Sequence, residues 1–432
     1  MKFKSLLLAA SMVAVTGVSP ALADLVFPSL SYRTGPFAPN GIPFADGYAD
    51  YLTLLNERDG GIGGVKIANP ECETGYNTEK GVECYESTKG IGSGALIYQP
   101  LSTGITYQLI PKVTADGIPL HSMAYGRTSA MNGKVFEWVF NYPANYWDGA
   151  TIAVQHAKDM SGGDLNGKTI ALLYHNSAYG KEPIRTLEEK AKMEGFNLTL
   201  IPVDSPGQEQ KSQWLQIRRE RPDFVLFWGW GVMNAVAVQE AANIRFPMDH
   251  FIGIWWSGAE QDVLPAGDGA NGYKSLNFTY VGKDKPVFAD IEKYVVGAGK
   301  AAGDGSNVGT VQYNRGMYAA MLATEAARKA QELSGKADIT AADMRNGMEA
   351  LVVDDARLEA LGMPNFGPTV EVSCANHGGT GAALVQQWDA SAKAWKAVTD
   401  FMPADRELVT KLAMEDSEAF AKENNITPRE CN

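Results

Sequence analysis

Residues 223–230 read Asp-Phe-Val-Leu-Phe-Trp-Gly-Trp, and residues 250–256 read His-Phe-Ile-Gly-Ile-Trp-Trp. Both are short apolar runs ending near a glycine, and the first leads into a helical pattern at Val232–Ala242. Runs of this length and composition predict strands buried in a parallel sheet. They set Trp228, Trp230, Trp255 and Trp256 at strand ends. In open α/β sheets the crevice beyond the carboxyl ends of the strands receives ligands. The rings therefore predict an aromatic wall, with Trp228 as a core residue.

The alternation extends in both directions. Upstream, strands are expected at Leu25–Leu30, Val65–Asn69, Ala95–Tyr98 and Pro119–Ala124, with helices at Phe44–Asn56, Thr78–Lys89 and Ile105–Thr114 between them. After Val135–Tyr142 the series restarts with a helix at Tyr146–Met160 and strands at Thr169–His175 and Leu198–Val203. Helices at Tyr179–Glu194 and Glu209–Arg219 fill the gaps. Leu276–Val281 leads into helical patterns around Pro286–Gly299, Gly309–Leu333 and Ala341–Leu351. The end reads as antiparallel strands (Thr369–Ser373, Ala383–Asp389, Trp395–Val398) and a closing helix at Arg406–Glu423. Two successive βα arrays imply an α/β fold of two doubly wound parallel-sheet lobes.

Lys2 and Lys4, the apolar stretch Ser5–Val18 and the Ala21-Leu22-Ala23 site predict a signal peptide over residues 1–23. The expected mature chain begins at Asp24, in the periplasm, with no stable membrane insertion. Beyond the leader it holds 36 basic against 50 acidic residues, a net −14. That acidity argues against nucleic acid and anionic membrane surfaces as partners. Cys72, Cys84, Cys374 and Cys431 are an even set in an oxidising compartment and predict disulfides. Cys72 with Cys84 is the favoured pair; a Cys374–Cys431 bridge would tie down the tail. No C-x₂-C spacing or histidine cluster points to a metal.

Gly162–Thr169 (Gly-Gly-Asp-Leu-Asn-Gly-Lys-Thr) matches the P-loop spacing. A phosphate cradle, however, follows a strand and opens a helix, and here a helix comes before and a strand after. Gly90-Ile-Gly92-Ser-Gly94 lacks the dinucleotide spacing, and neither a nucleophile elbow nor an H-E-x-x-H is present. No cofactor and no catalytic set is expected. Polar and aromatic residues instead recur just after strands: Ser31 to Gly41, Leu101 to Gly104, Tyr125 to Arg127, and Asn176 to Gly180. Each alone reads as a turn or a cap. Together they outline a cleft between lobes, lined by hydroxyls, backbone N–H groups and rings.

Thr34-Gly-Pro-Phe-Ala-Pro-Asn-Gly41, Leu54–Ile67, Pro100-Leu-Ser-Thr-Gly104, Tyr179-Gly180 and Arg315-Gly-Met-Tyr-Ala-Ala320 give the chain a resemblance. It resembles the periplasmic solute-binding proteins of ABC importers, of the type that binds branched-chain amino acids. The resemblance spans the mature chain and implies two lobes joined by a three-segment hinge that close on a small molecule. It implies lobe 1 from 24–143 and 278–366, and lobe 2 from 144–277 and 367–432. The crossings would fall near Tyr142–Tyr146, Gly272–Asn277 and Pro364–Thr369. It further implies a monomer that serves an inner-membrane permease complex. By the same resemblance Ser102, with nearby backbone N–H groups, holds the ligand carboxylate, Tyr125 and Gly126 add to that grip, and Tyr179 and Trp230 come from the second lobe; Thr103, beside Ser102, is a further candidate for ligand contact. Two positions depart from the pattern. Trp255 stands where amino-acid binders place the acid that pairs with the ligand ammonium, and Asn40 stands where a ring is common.

A buried ammonium without a carboxylate is costly. The reading is therefore capture of a small organic carboxylate with an aromatic or apolar body, unless Glu260 or Asp262 reaches in. Arg33 or Arg127 would supply its counter-charge, though each also reads as a surface arginine. An amino-acid or amide binder, a sensor feeding a membrane receptor and an exported hydrolase are the other readings.

Overall fold

The computed structural model describes residues 23–431, so all of the expected leader but Ala23 lies outside the described residues. The chain enters through β1 (Leu25–Val26) and β2 (Ser29–Ser31), two pieces of one expected strand. Pro28 between them has no N–H to give to a ladder, and the strand breaks there. Next come α1 (Ala38–Leu54), β3 (Ile67–Ala68), β4 (Glu71–Glu73), α2 (Thr78–Thr88), α3 (Thr103–Asp116), β5 (Leu120–His121) and β6 (Val139–Phe140). The pairs β1–β3, β2–β4 and β5–β6 are parallel, and parallel bridges at Val26–Ala95 and Tyr98–Leu120 connect them into lobe 1. Helix α1 begins at Ala38 rather than at Phe44 because Pro39 falls in the first turn, where a missing N–H costs nothing.

Lobe 2 holds α4 (Tyr146–Met160), β7 (Thr169–His175), α5 (Ala178–Lys181), α6 (Ile184–Glu194), β8 (Asn197–Val203), α7 (Lys211–Glu220) and β9 (Phe224–Trp228). It continues through α8 (Val232–Asn243), β10 (Phe251–Gly253), α9 (Glu260–Val263) and β11 (Lys274–Asn277). Its parallel strands run β11-β10-β9-β7-β8. Successive side chains of a strand point to opposite faces. Thus Phe224, Leu226 and Trp228 join one core, while Val225 and Phe227 join a second on the other face. This explains the unbroken apolar run that marked the strand. The expected helix Tyr179–Glu194 is two helices parted around Pro183. The P-loop look-alike is the turn between α4 and β7.

The chain then returns to lobe 1 as α10 (Pro286–Ile291), α11 (Val311–Ser334), α12 (Ala341–Glu349), β12 (Val352–Val353), α13 (Asp355–Ala360) and β13 (Val370–Glu371). Helices α1 and α11 touch backbone to backbone: a Cβ at Gly316 would lie 1.9 Å from Phe44 O. Because β13 pairs with β12, the chain is still in lobe 1 at Glu371, beyond the Pro364–Thr369 crossing that the resemblance implies. It crosses next to β14 (Ala382–Asp389), which joins the lobe 2 sheet antiparallel to β11, with β15 (Ala394–Ala397) and β16 (Met402–Pro403) beside it.

Helix α14 (Arg406–Glu423) spans both lobes. Its start is held by lobe 2, through Arg406 to Asp148 at 2.7 Å and Lys190 to Asp405 at 3.4 Å. Its second half packs on lobe 1: Asp416 pairs with Arg127 at 2.5 Å, and Phe420 stacks on Phe136 at 4.8 Å. The disulfides are Cys72–Cys84 and Cys374–Cys431, and the second pins the tail beside β13.

Candidate ligand site between the lobes

The cleft is walled by Tyr76, Leu101, Ser102, Thr103 and Tyr125 from lobe 1, and by Tyr146, Tyr179, Trp230 and Trp256 from lobe 2. Helix α3 aims its N-terminus here, because Ser102 is its N-cap and accepts from Ile105 N at 3.3 Å. The rings nearly fill the space: the remaining cavity is about 10 Å³, room for roughly one water. A ring-sized guest enters only when the lobes part.

The lobes meet through specific bonds. Trp255 and Trp256 of lobe 2 both donate their indole N–H to Ala124 O of lobe 1, at 2.7 and 3.2 Å. Tyr107 donates to Glu182 at 2.8 Å, and Val232 N donates to Pro36 O at 3.1 Å. Gly126 is placed so closely that a Cβ there would lie 2.3 Å from a Glu182 oxygen.

None of the nine lining residues carries an ionised side chain. Burial pushes the hydroxyls of Tyr76, Tyr125, Tyr146 and Tyr179 above their ordinary range, so all four keep their protons. Tyr179 is spent on Gly229 O at 2.9 Å, and Tyr125 accepts from Leu101 N at 2.9 Å. Trp230 is 3 % exposed, and its Nε1–H has no partner among the described residues. The site thus offers flat apolar walls, one open indole donor, and hydroxyls at the positive end of a helix. Such an arrangement can hold an apolar body and a carboxylate.

Of the residues singled out in the sequence, Ser102, Thr103, Tyr125, Tyr179 and Trp230 converge on the cavity. Gly126 supports it, donating its N–H to Thr103 Oγ1 at 3.4 Å. Trp255 lies behind the wall, fully buried and stacked on Tyr146 at 6.1 Å, and Trp256 takes the lining place. The strand ends at Gly253 and a 3₁₀ turn covers Trp255–Ser257, so strand alternation no longer sets which ring faces the cleft. Asn40 sits at the seam, donating to Asp262 at 3.2 Å rather than lining the cavity.

Neither arginine reaches the site. Arg33 is held by Asp46 at 2.7 Å and Glu71 at 2.5 Å. Arg127 is paired with Asp416 and lies over the Phe420 ring at 4.6 Å. Of the other lining residues, Tyr76 and Tyr146 do not stand out in the sequence, while Leu101 and Trp256 belong to the runs that outline the cleft without being picked as ligand contacts. Tyr146 follows the N-cap Asn145 at the first crossing, and Tyr76 lies inside the Cys72–Cys84 loop. Both positions were visible in the sequence, but their direction was not. No group of acids, histidines and cysteines suited to a metal occurs among the described residues.

The periplasmic binding protein family model matches residues 26–394. The chain belongs to this family. A solved ABC transporter permease from the Pseudomonas fluorescens group is 41% identical to this binding protein, covering 95% of this chain and 99% of its own, with a TM-score of 0.88. A branched-chain amino acid ABC transporter from Thermus thermophilus with bound valine is 19% identical over 90% and 98%, with a TM-score of 0.74. A solute-binding protein from R. palustris in complex with benzoate is 17% identical over 88% and 97%, with a TM-score of 0.66. At these lower identities the likeness is one of fold. No curated protein matches the binding protein's sequence.

Proposed function

We propose that this chain is the capture component of an ABC importer, closing its lobes on a small organic carboxylate with an aromatic or apolar body. It works in the periplasm, carries out no chemistry, and delivers its cargo to an inner-membrane permease complex. One observation carries the choice of cargo: rings and hydroxyls line the cleft, with no carboxylate among them. A guest's ammonium buried there would have no counter-charge. A guest carboxylate would meet Ser102, Thr103 and the first turn of α3, and its body would lie among Tyr146, Trp230 and Trp256. That a neighbour of the same fold holds benzoate fits this reading.

Amino-acid capture is the competing reading, since another neighbour holds valine. It requires Asp262 or Glu260 as ammonium partner, yet Asp262 is engaged by Asn40 and by Ala259 N at 2.9 Å. Glu260 accepts from Val311 N at 3.1 Å. Thermal-shift measurements on the mature chain with aromatic acids, aliphatic acids and amino acids separate the two. A bound acid at ~100 times its Kd stabilises by ~2.7 kcal/mol. If only zwitterionic amino acids raise the midpoint, the proposed cargo is wrong.

A further inference from the structure

Arg315, in the second turn of α11, is the one arginine with no exposure to solvent among the described residues. It does not line the cavity, yet its guanidinium lies 5.4 Å from the Trp256 ring, which does, and 5.5 Å from the Phe278 ring. Its Nη2 donates to Asn277 Oδ1 at 3.1 Å, at the end of β11, where the chain leaves the lobe 2 sheet. Nε and Nη1 have no hydrogen-bond partner among the described residues. A buried guanidinium with two open N–H groups is costly unless something nearby repays it. Asp262 and Glu260, both on α9 of the other lobe, make no ion pair with it but act on it through space.

The same seam gathers two interlobe bonds. Asn40 of α1 donates to Asp262, and Val311 N, at the start of α11, donates to Glu260. We infer that Arg315 is a positioning residue for capture: from lobe 1 it seats the Trp256 wall and supplies the counter-charge that lets Asp262 be buried and Glu260 be half-buried as the lobes close. This rests on the proposed use of the cleft as the ligand site. Arg315 is thus the link between closure and the shape of the wall.

The groups facing Asp262 are Arg315, Asn40, Asn234, Tyr179 and Tyr273. Burial pushes Asp262 up to about 7 and raises Glu260, and Arg315 opposes both shifts. Burial in turn lowers Arg315 to about 9, against the pull of the two acids. Closure therefore binds protons at the two acids. Without Arg315 their pKa values climb further, and the cost of closing falls most heavily above neutral pH.

The test uses the full mature chain. Melting temperature and small-angle scattering radius, without ligand, are compared at about pH 5.5 and about pH 8 for wild type, R315Q, R315K and R315Q/D262N. At pH 8, R315Q melts several degrees lower and scatters as a larger particle, and at pH 5.5 it recovers. R315K stays close to wild type at pH 8, and R315Q/D262N regains most of the loss. Benzoate titrated by tryptophan fluorescence binds R315Q about tenfold or more weakly at pH 8, with most of the gap closed at pH 5.5. An R315Q deficit of equal size at both pH values, or none, overturns the inference, because lost packing alone does not titrate. If wild type ignores benzoate and every other acid, the proposed cargo fails, while the ligand-free comparison still decides the role of Arg315.

Discussion

The two seams that join the lobes are built differently. On the cleft side, Trp255 and Trp256 share the single acceptor Ala124 O, and rings such as Tyr32 and Trp230 meet edge-on at 6.3 Å. At the first crossing, His377 O accepts from Asn141 N and Tyr142 N. Close by, α14 clamps lobe 1 with Arg127–Asp416, the Asn132–Ser417 bond at 2.8 Å, the Phe136–Phe420 stack and the Cys374–Cys431 bond. Aromatic contacts can be exchanged for contacts to a guest of similar character at little net cost. A covalent bond and a stack of charged and apolar contacts cannot. One seam is made to part and the other to stay, which defines a hinge.

Four variants break or sharpen that contrast. Trp255→Ala should cost the most, about 3–5 kcal/mol of unfolding free energy, because the ring is fully buried and bonded across the cleft. Denaturant melts measure it. A stable variant that has lost only its ligand would put Trp255 in the site after all. Replacing Cys374 and Cys431 by serine should cost about 4 kcal/mol. That exceeds the cost of removing Cys72–Cys84, which closes a loop of separation 12 rather than 57. Equal costs would mean that the tail is held as firmly by its other contacts. Asp416→Asn should cost least, under about 1 kcal/mol, since its carboxylate is one-third exposed. A large loss of ligand affinity from that change would give the clamp a part in closure.

Where a periodic pattern ran long and was packed on a predictable face, the sequence was easy to read. Tyr146–Met160, Thr169–His175 and Arg406–Glu423 have the expected bounds. The lobe 1 strands are only two or three residues long, so the expected runs overshoot them. The site was half legible. Ser102 and Thr103 announce themselves at the mouth of a helix, but Trp256 displaced Trp255 through a turn with no mark of its own.

The arginines were misplaced because their partners are remote in sequence: Arg127 finds Asp416 across a separation of 289. Arg315 was visible only as one letter of a family motif. Its helix is buried along nearly all of its first four turns, so periodicity could not single it out.

The Cys374–Cys431 bond also changes how the molecule bears load. A pull on the chain beyond Cys431 bypasses α14 and arrives at Cys374, next to the strand that closes lobe 1. The 57 residues of separation between the two sulfurs carry no tension, so β14, β15 and the last helix cannot be peeled away in order from that end. A machine that unravels proteins from the tail meets the lobe 1 core first.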